Sequence, residues 1–560
     1  INMTLTEMEP LKIHLDALEM AGKVVDIHIT ADSNFPSLIN LMRYNVQGGP
    51  TVSGLDDHDY PNINGMSMCF SNINQMKVHS KISLPSEIME HFHRMCTCHS
   101  MMDFLRNSKH AYIDSDIYVG SYENESDVAY FDGLNETIIS VGLVKPKPNV
   151  FQSYVKYLLI LTTTVEITIL GVTLIENEVN LGSSPEMQLV PEPIFTVATD
   201  GIGITTIANT NTGRIFLGGR NGSLYEIYYQ AESSWFGKRC KKINHSEGPL
   251  SFLVPSFVTI ALSEEEAIIQ ISIDDSRNIL YTLGDKGTIT VWDIDNDGAS
   301  KVASLSQASL VQNAVHVVKT LDSNNFRPLV SISAITESES VHLNLVVIAA
   351  TGTRFYCSCT SVSNPTCRPQ GLQLIHVRLP PGYAANATVM RPRKVQMAHY
   401  RKGTLILVCG GDTETVLCLS NDAYPFTNYL AETQSPLSLD SPFWTMAEIL
   451  VEPAIRIEKQ SITQEEPPLV VRQHMEAPRK FIFLTSQGAI IYVQVRPMDI
   501  LKQLLLEQRG PDTEAIRAYF QSQSLEQACA TCLILATLES SQNAEVLKWA
   551  TRAFFLYGSQ

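Results

Sequence analysis

Residues Arg277 to Asp295 read RNILYTLGDKGTITVWDID. Ile279, Leu280 and Tyr281 make an apolar, β-prone run. Gly284-Asp-Lys-Gly287 is a tight turn, and Ile289, Val291 and Trp292 return with polar residues between them. This pattern specifies a β-hairpin with a buried face, closed by the Trp292-Asp293 pair. A lone hairpin cannot bury its own apolar face, so the unit gains meaning only by recurring.

It recurs. Working outward, Arg214-Ile-Phe-Leu turns at Gly218 to Gly222 into Leu224 to Tyr229. Leu345 to Ala350 turns at Thr351-Gly352 into Arg354 to Cys357. Thr404 to Cys409 leads to Thr415 to Cys418, and Phe481 to Leu484 leads to Ile490 to Val495. Upstream, Val155 to Leu161 pairs with Val165 to Val172, and Asp114 to Val119 with Val128 to Asp132. Hairpins of one type, at wide spacing, predict a β-propeller over 113–497 whose ring shields the strand edges; the hairpins count to seven blades, with six or eight as the alternatives. Before it, 1–112 reads as a helix over Thr4 to Ile29, an irregular wrapping extension, a strand near Val78 to Leu84 and a short helix over Pro85 to Met95. After Pro497 the apolar period changes from two to helical, as at Ile500, Leu501, Leu504 and Leu505. The span 498–560 therefore reads as the start of an α-helical solenoid. A solenoid needs neighbours or a polar cap, so the chain is expected to be the N-terminal part of a longer protein.

Composition narrows the function. The chain has 560 residues, 44% hydrophobic and 18% charged, with net charge −17. Such an acidic chain is a poor general binder of nucleic acid. No run of 18 apolar residues occurs; Tyr157 to Leu174 is broken by Thr162, Thr163, Thr164 and Glu166. The 11 cysteines are irregularly spaced and favour free thiols.

Candidate chemical sites fail on spacing. Asp293-Ile-Asp-Asn-Asp-Gly298 matches half a calcium loop, but its twelfth position is Ser304 rather than Glu. His91, His93, Cys96, Cys98 and His99 match no common zinc spacing. Cys529 and Cys532 sit on the apolar stripe of a predicted helix and read as core, as do Cys357 and Cys359. No phosphate loop, HExxH or GxSxG is present. Neither metal nor cofactor nor small-molecule substrate is expected.

One stretch invites another reading. Leu250-Ser-Phe-Leu-Val-Pro-Ser-Phe257 and the residues on to Leu262 combine bulky apolar groups with uncharged Ser and Thr. That composition suits contact with lipid-packing defects. The competing reading is a loop and then a propeller strand over Val258 to Leu262. Leu250, Ser251, Phe252, Leu253, Val254, Pro255, Ser256 and Phe257 are the candidate membrane-contacting residues.

Specific stretches carry a family resemblance. They include Thr51-Val-Ser-Gly54, Asp59-Tyr-Pro61, Ile113-Asp-Ser-Asp-Ile117, Ala129-Tyr-Phe-Asp-Gly-Leu134 and Val141-Gly-Leu-Val-Lys-Pro-Lys147. Gly213 to Gly222, Tyr228 to Glu232, Arg239 to Ser246, His376 to Gly382, Gln527 to Ala536 and Ala550 to Phe555 extend it. The chain resembles inner-ring scaffold nucleoporins of the nucleoporin 155 family, yeast homologues included; the match is weakest at about 62–112. The resemblance implies a seven-bladed propeller followed by a solenoid, and a structural, non-enzymatic role in the nuclear pore complex at the nuclear envelope. It implies linker nucleoporins, other inner-ring subunits and the pore membrane as partners. In that family a membrane-contacting loop of the propeller matches Ser251 to Ser256. Vesicle-coat and tethering subunits share the architecture, so the fold alone does not separate the two roles.

Overall fold

The computed structural model describes residues 19, 20, 23, 49–55, 60, 76–84, 112–113, 116–120, 128–175, 186–231, 239–247, 266–294, 298–360, 368–383, 391–410, 414–420, 432–450, 473–523, 525–538 and 544–558. Two strands come first, β1 (Thr51–Ser53) and β2 (Met76–Ser83). Sheet one holds β3 (Tyr112–Ile113), β4 (Asp116–Gly120) and β5 (Val128–Phe131). Sheet two holds β6 (Ser140–Val144), β7 (Val155–Thr162), β8 (Glu166–Ile175), β9 (Glu186–Leu189) and β10 (Phe195–Ala198). Sheet three is β11 (Ile204–Asn209), β12 (Ile215–Gly219), β13 (Leu224–Tyr229) and β14 (Cys240–Asn244). Sheet four is β15 (Ile268–Asp274), β16 (Ile279–Gly284), β17 (Ile289–Asp293) and β18 (Ser300–Leu305), followed by helix α1 (Gln307–Val317). Sheet five is β19 (Leu329–Ala334), β20 (Leu345–Ala349), β21 (Arg354–Ser358) and β22 (Gln373–Arg378), with β1 added outside β22. Sheet six is β23 (Val395–Arg401), β24 (Thr404–Cys409), β25 (Thr415–Ser420) and β26 (Thr433–Ser438). Sheet seven is β27 (Phe443–Ile449), β28 (Lys480–Thr485) and β29 (Gly488–Gln494), with β2 added outside β29.

The arrangement is propeller-like, with six blades rather than the seven expected. Sheets two to seven carry four or five strands each, whereas sheet one has three strands of two, five and four residues. Among the described side chains of its short strands, Ile117, Phe131 and the partly buried Val119 reach the core shared with sheet two. The expectation failed because hairpin chemistry was read as a whole blade. Sheets three to seven, by contrast, repeat one irregularity. Each has a register shift where its inner strand begins, at Ile204/Thr206, Ile268/Gln270, Leu329/Ser331, Val395/Met397 and Phe443/Thr445. Such a bulge sharpens the local twist and re-aims side chains. At the third sheet the bulged Thr205 hydroxyl donates to Gly218 O and to Ile268 O of the next inner strand. Gln270 then acts as a surrogate peptide, its Nε2 donating to Ile332 O and its Oε1 accepting from Ile332 N, both at 2.9 Å. Ser272 accepts from Ala334 N, and Ser331 donates to Ala398 O. Inner strands of sheets three to six are thus stitched edge to edge through side chains.

Between blades the stitching is apolar. Alternate residues point to opposite sides of a strand, so both sides of each blade must be covered. Leu217 faces the core shared with sheet two, and its neighbour Phe216 faces sheet four with Leu280 and Trp292. Tyr281, Leu283, Val347 and Phe355 fill the next gap with Leu310, Val311 and Ala314 of α1. Double-sided burial explains why runs such as Leu405-Ile-Leu-Val408 are apolar throughout rather than alternating.

The N-terminal extension is a strap. The strand expected near Val78 to Leu84 is β2, which completes sheet seven against β29. β1 pairs in parallel with β22, Thr51 opposite His376 and Ser53 opposite Arg378. Gly54 lies at φ +83°, and a Cβ there would meet Leu379 O at 2.4 Å, so only glycine lets the strap lie this close. Tyr60 is 3% exposed; its ring lies 4.7 Å from the Arg378 guanidinium, and its hydroxyl meets Leu379 O and Arg354 Nη2. Glu432 of sheet six receives Arg354 through both carboxylate oxygens, at 2.7 and 2.6 Å, and Arg378 Nε at 2.9 Å. Gln434 Nε2 reaches Tyr60 O at 3.0 Å. The strap, sheet five and sheet six therefore share one buried ionic seam. Of the expected helix over Thr4 to Ile29, only residues 19, 20 and 23 are described, and these are helical; Pro85 to Met95 lies outside the described residues.

Four helices follow the last strand: α2 (Pro497–Gln508), α3 (Glu514–Ser522), α4 (Leu525–Leu538) and α5 (Ala544–Tyr557). They pack around Ile500, Leu504, Ile516, Tyr519, Cys532 and Phe554, with Val495 of the β29–α2 junction in the same core. Arg496 ties this core to the preceding segment through Gln473 O and Glu476 O. This is one compact cluster; the described residues do not establish a solenoid.

Two outcomes are expected. Tyr60→Ala removes a filled aromatic site and should cost about 3–5 kcal/mol, whereas Tyr60→Phe should cost about 1 kcal/mol. Urea denaturation midpoints check the order, with loss of the Ala variant's strap protection from protease as a second readout. Acid should loosen the same seam. Burial, then the charges of Arg378 and Arg354, hold His376 down at about 3 against an ordinary 6.5. The unfolded chain takes up that proton first, so stability falls as pH drops from 6.5 towards 3. Burial alone would raise Glu432, but Arg354 and Arg378 outweigh it and hold the carboxyl at about 2 against 4.5. Its contribution is present above 4.5 and lost on the way down to about 2. In a stability profile measured from about pH 7 to about pH 3, His376→Gln should flatten the part that begins near 6.5 and leave intact the carboxylate part that begins near 4.5.

Candidate binding surface

The turns β12–β13 and β16–β17 lie on one rim, and the expected membrane loop is rooted there at both ends. On the way in, His245 N donates to Leu224 O, and Ser246 Oγ accepts from Leu224 N. His245 Nε2 lies 2.8 Å from Glu226, whose carboxylate also takes Arg214. Burial pushes Glu226 up, yet hydrogen bonds from Arg214 and His245 dominate and hold it at about 2. On the way out, Glu266 accepts from Lys286 N and Thr288 N with one carboxylate oxygen, capping the turn that Gly287 closes at φ +87°. Asp285 N donates to Ala267 O. The two roots are thus pinned to neighbouring turns of sheets three and four.

Leu250 to Phe257, the candidate contact residues themselves, lie outside the described residues, as does Val258 to Leu262. The inner strand of sheet four is Ile268–Asp274, further along the chain than the strand reading of Val258 to Leu262. No helix among the described residues is long and apolar enough to cross a membrane.

The other candidates disperse. Asp293 ends β17 and pairs with Arg368, Nε to Oδ2 at 2.9 Å. His91 to His99 lies outside the described residues, and those that are described hold no group of three metal-ligating side chains. Cys357, Cys359, Cys529 and Cys532 are buried and form no disulfide among the described residues. Burial pushes the Cys357 thiol up to about 12 and the Cys359 thiol to about 11, which suits inert core groups.

Sequence reading missed two clusters. The Arg354–Arg378–Glu432 seam joins residues far apart in the chain, with Tyr60 further still, and no spacing rule links them. The second lies where β10 meets β14, with Arg239 and Lys241 set over aromatic rings. The Lys241-Lys242 pair on a β-prone stretch was a signal for an edge strand, though not for its rings.

The sequence pattern of the nucleoporin family described as Nup133 N terminal like matches residues 73–491. Nuclear pore complex protein Nup154 of Drosophila melanogaster is 39% identical over 98% of this chain. Nucleoporin NUP170 of Chaetomium thermophilum is 28% identical over 66% of it. The chain spans 41% of the length of the first and 26% of the second. Among solved structures, the Chaetomium thermophilum Nup170 NTD–Nup53 complex aligns with TM-score 0.75 at 22% identity, covering 97% of this chain and 78% of that one. That likeness extends the fold agreement through the helices. On the family match and the relatedness to Nup154 across 98% of its residues, the chain belongs to the Nup133 N-terminal-like nucleoporins, in the nucleoporin 155 group.

Proposed function

We propose that this chain is a structural element of the inner ring of the nuclear pore complex, without catalytic activity. The carrying observation is its 39% identity to Nup154 across 98% of its residues. A fold built from shared seams suits a scaffold, since its buried charges are spent on holding blades together. We further infer binding of linker nucleoporins through short peptides; the name of the Nup170 NTD–Nup53 complex supports this by analogy. In this reading the chain divides into an extension over 1–112, a propeller over 113–497 and a helical part over 498–560. The pairing of β2 with β29 makes the extension and propeller one folding unit. Tagged full-length protein should mark the nuclear rim and co-purify linker nucleoporins; residence on coated vesicles instead would favour a coat or tether.

Contact with the pore membrane through Leu250 to Phe257 completes the reading. Support comes from their composition and from roots fixed on one rim. Complete burial of Phe252, Leu253 or Val254 would gain about 1.5–3 kcal/mol each, less for shallow insertion and for ordering the loop. Several copies on one membrane make such weak contacts useful. Because Ser251 and Ser256 carry no charge and Glu264 to Glu266 follow, attraction should depend on curvature and packing defects. The protein should co-float with small neutral vesicles, and Phe252→Asp with Leu253→Asp should abolish flotation with circular dichroism unchanged. Loss of fold in the double variant would instead make these residues core.

A further inference from the structure

At the seam between sheets two and three, two exposed cations meet no carboxylate among the described residues. Lys242 on β14 is satisfied by Asp200 at 2.7 Å and Thr199 O. Its neighbours differ. Arg239 and Lys241 are exposed and have no carboxylate partner among the described residues. Arg239 lies 5.6 Å from the Phe195 ring centre on β10, and Lys241 Nζ lies 5.2 Å from that of Tyr228. Lys147 Nζ stands 5.0 Å from both the Tyr228 and Tyr229 rings. Phe151 braces this floor, 6.0 Å from Phe195 and 5.8 Å from Tyr229. The Tyr229 hydroxyl donates to Gly213 O and accepts from Lys147 N, which locks the ring.

Lysines often guard exposed edge strands against aggregation, and Lys241 alone would be explained that way. A guard needs no aromatic floor. Here the rings hold the cationic heads in place before any ligand arrives, which lowers the ordering cost of binding. β14 pairs with β13 on one side and carries no further strand among the described residues, so backbone groups lie beside the cations. We propose that this edge docks an acidic, extended peptide of a protein partner, added along β14 with its carboxylates on Arg239 and Lys241. The net charge of −17 selects the class of ligand. A bilayer or long nucleic acid would meet the acidic surface as a whole. A short peptide meets only the local field, which at physiological salt extends about 8 Å. The proposal rests on the linker-nucleoporin reading and gives it a location and a chemistry.

The test uses the whole chain and a fluorescein-labelled peptide of alternating glutamate and valine, followed by anisotropy. Binding should be saturable and weaken with salt. Arg239→Glu with Lys241→Glu should weaken it by about tenfold or more, and Arg239→Gln with Lys241→Gln should act in the same direction on a fold unchanged by circular dichroism. A glutamine–valine peptide should bind at least about tenfold more weakly. Equal binding by the variants, or by the neutral peptide, overturns the proposal. So does tighter, variant-sensitive binding of phosphatidylserine vesicles or of an RNA oligomer. A purified linker nucleoporin separates the two readings. If it binds wild type and variants alike, the location is wrong and the linker reading stands. If it fails to bind wild type, the linker reading itself falls.

Discussion

Glu432 is the constraint on which the N-terminal half of the strap depends. Its two oxygens hold Arg354 and Arg378, which lie on adjacent strands of the neighbouring sheet and are themselves fully buried. Two buried guanidiniums side by side would repel one another strongly without it. Once fixed, they present a flat cationic surface, and Tyr60 lies against it. His376 must stay neutral there, and both its ring nitrogens are engaged by hydroxyls, Thr51 Oγ1 and Ser53 Oγ, each at 2.7 Å. A charged core of this kind contributes little net stability over an apolar one. Its effect is to make one placement of the strap far better than its alternatives.

Similar logic runs around the ring with other residues. Glu448 gathers His399 and Arg479, and Glu226 gathers His245 and Arg214. Glu339 caps Lys402 N and Gly403 N of the next sheet's hairpin and accepts from Tyr400. Glu448 and Glu339 therefore stitch blade to blade, whereas Glu226 ties strands together within sheet three. This use of acid groups inside the protein is separate from the surplus that gives the chain its net charge.

Blade hairpins were legible because their signals are local. Gly284 to Gly287 closes a turn, and Leu345 to Ala349 is too apolar for anything but a doubly covered strand. Edge strands were less so: β14 and β26 have mixed patterns, and β26 even contains Pro436, tolerable at an edge. The blade count went astray at 114–132, where hairpin chemistry is present but the described strands make a three-stranded sheet rather than a blade of four. The repeated bulge at Thr205, Ile269, Val330, Gln396 and Trp444 left no mark in the sequence, since five different side chains fill one backbone position. Long-range partners such as Tyr60 with Gln434 were invisible because nothing in either segment's own pattern requires the other.

The strap has a consequence for how the chain is made. Synthesis delivers β1 and β2 ahead of the sheets they join, since their partners β22 and β29 end at Arg378 and Gln494. Hundreds of residues must leave the ribosome before either strand can be matched. Meanwhile sheets two, three and four, whose strands all lie close in sequence, can assemble as they emerge. A segment that emerges ahead of these sheets is thus among the last to find its place. During that interval its core-bound groups, Val52, Tyr60 and Met76 among them, stay uncovered, which is the situation a chaperone serves.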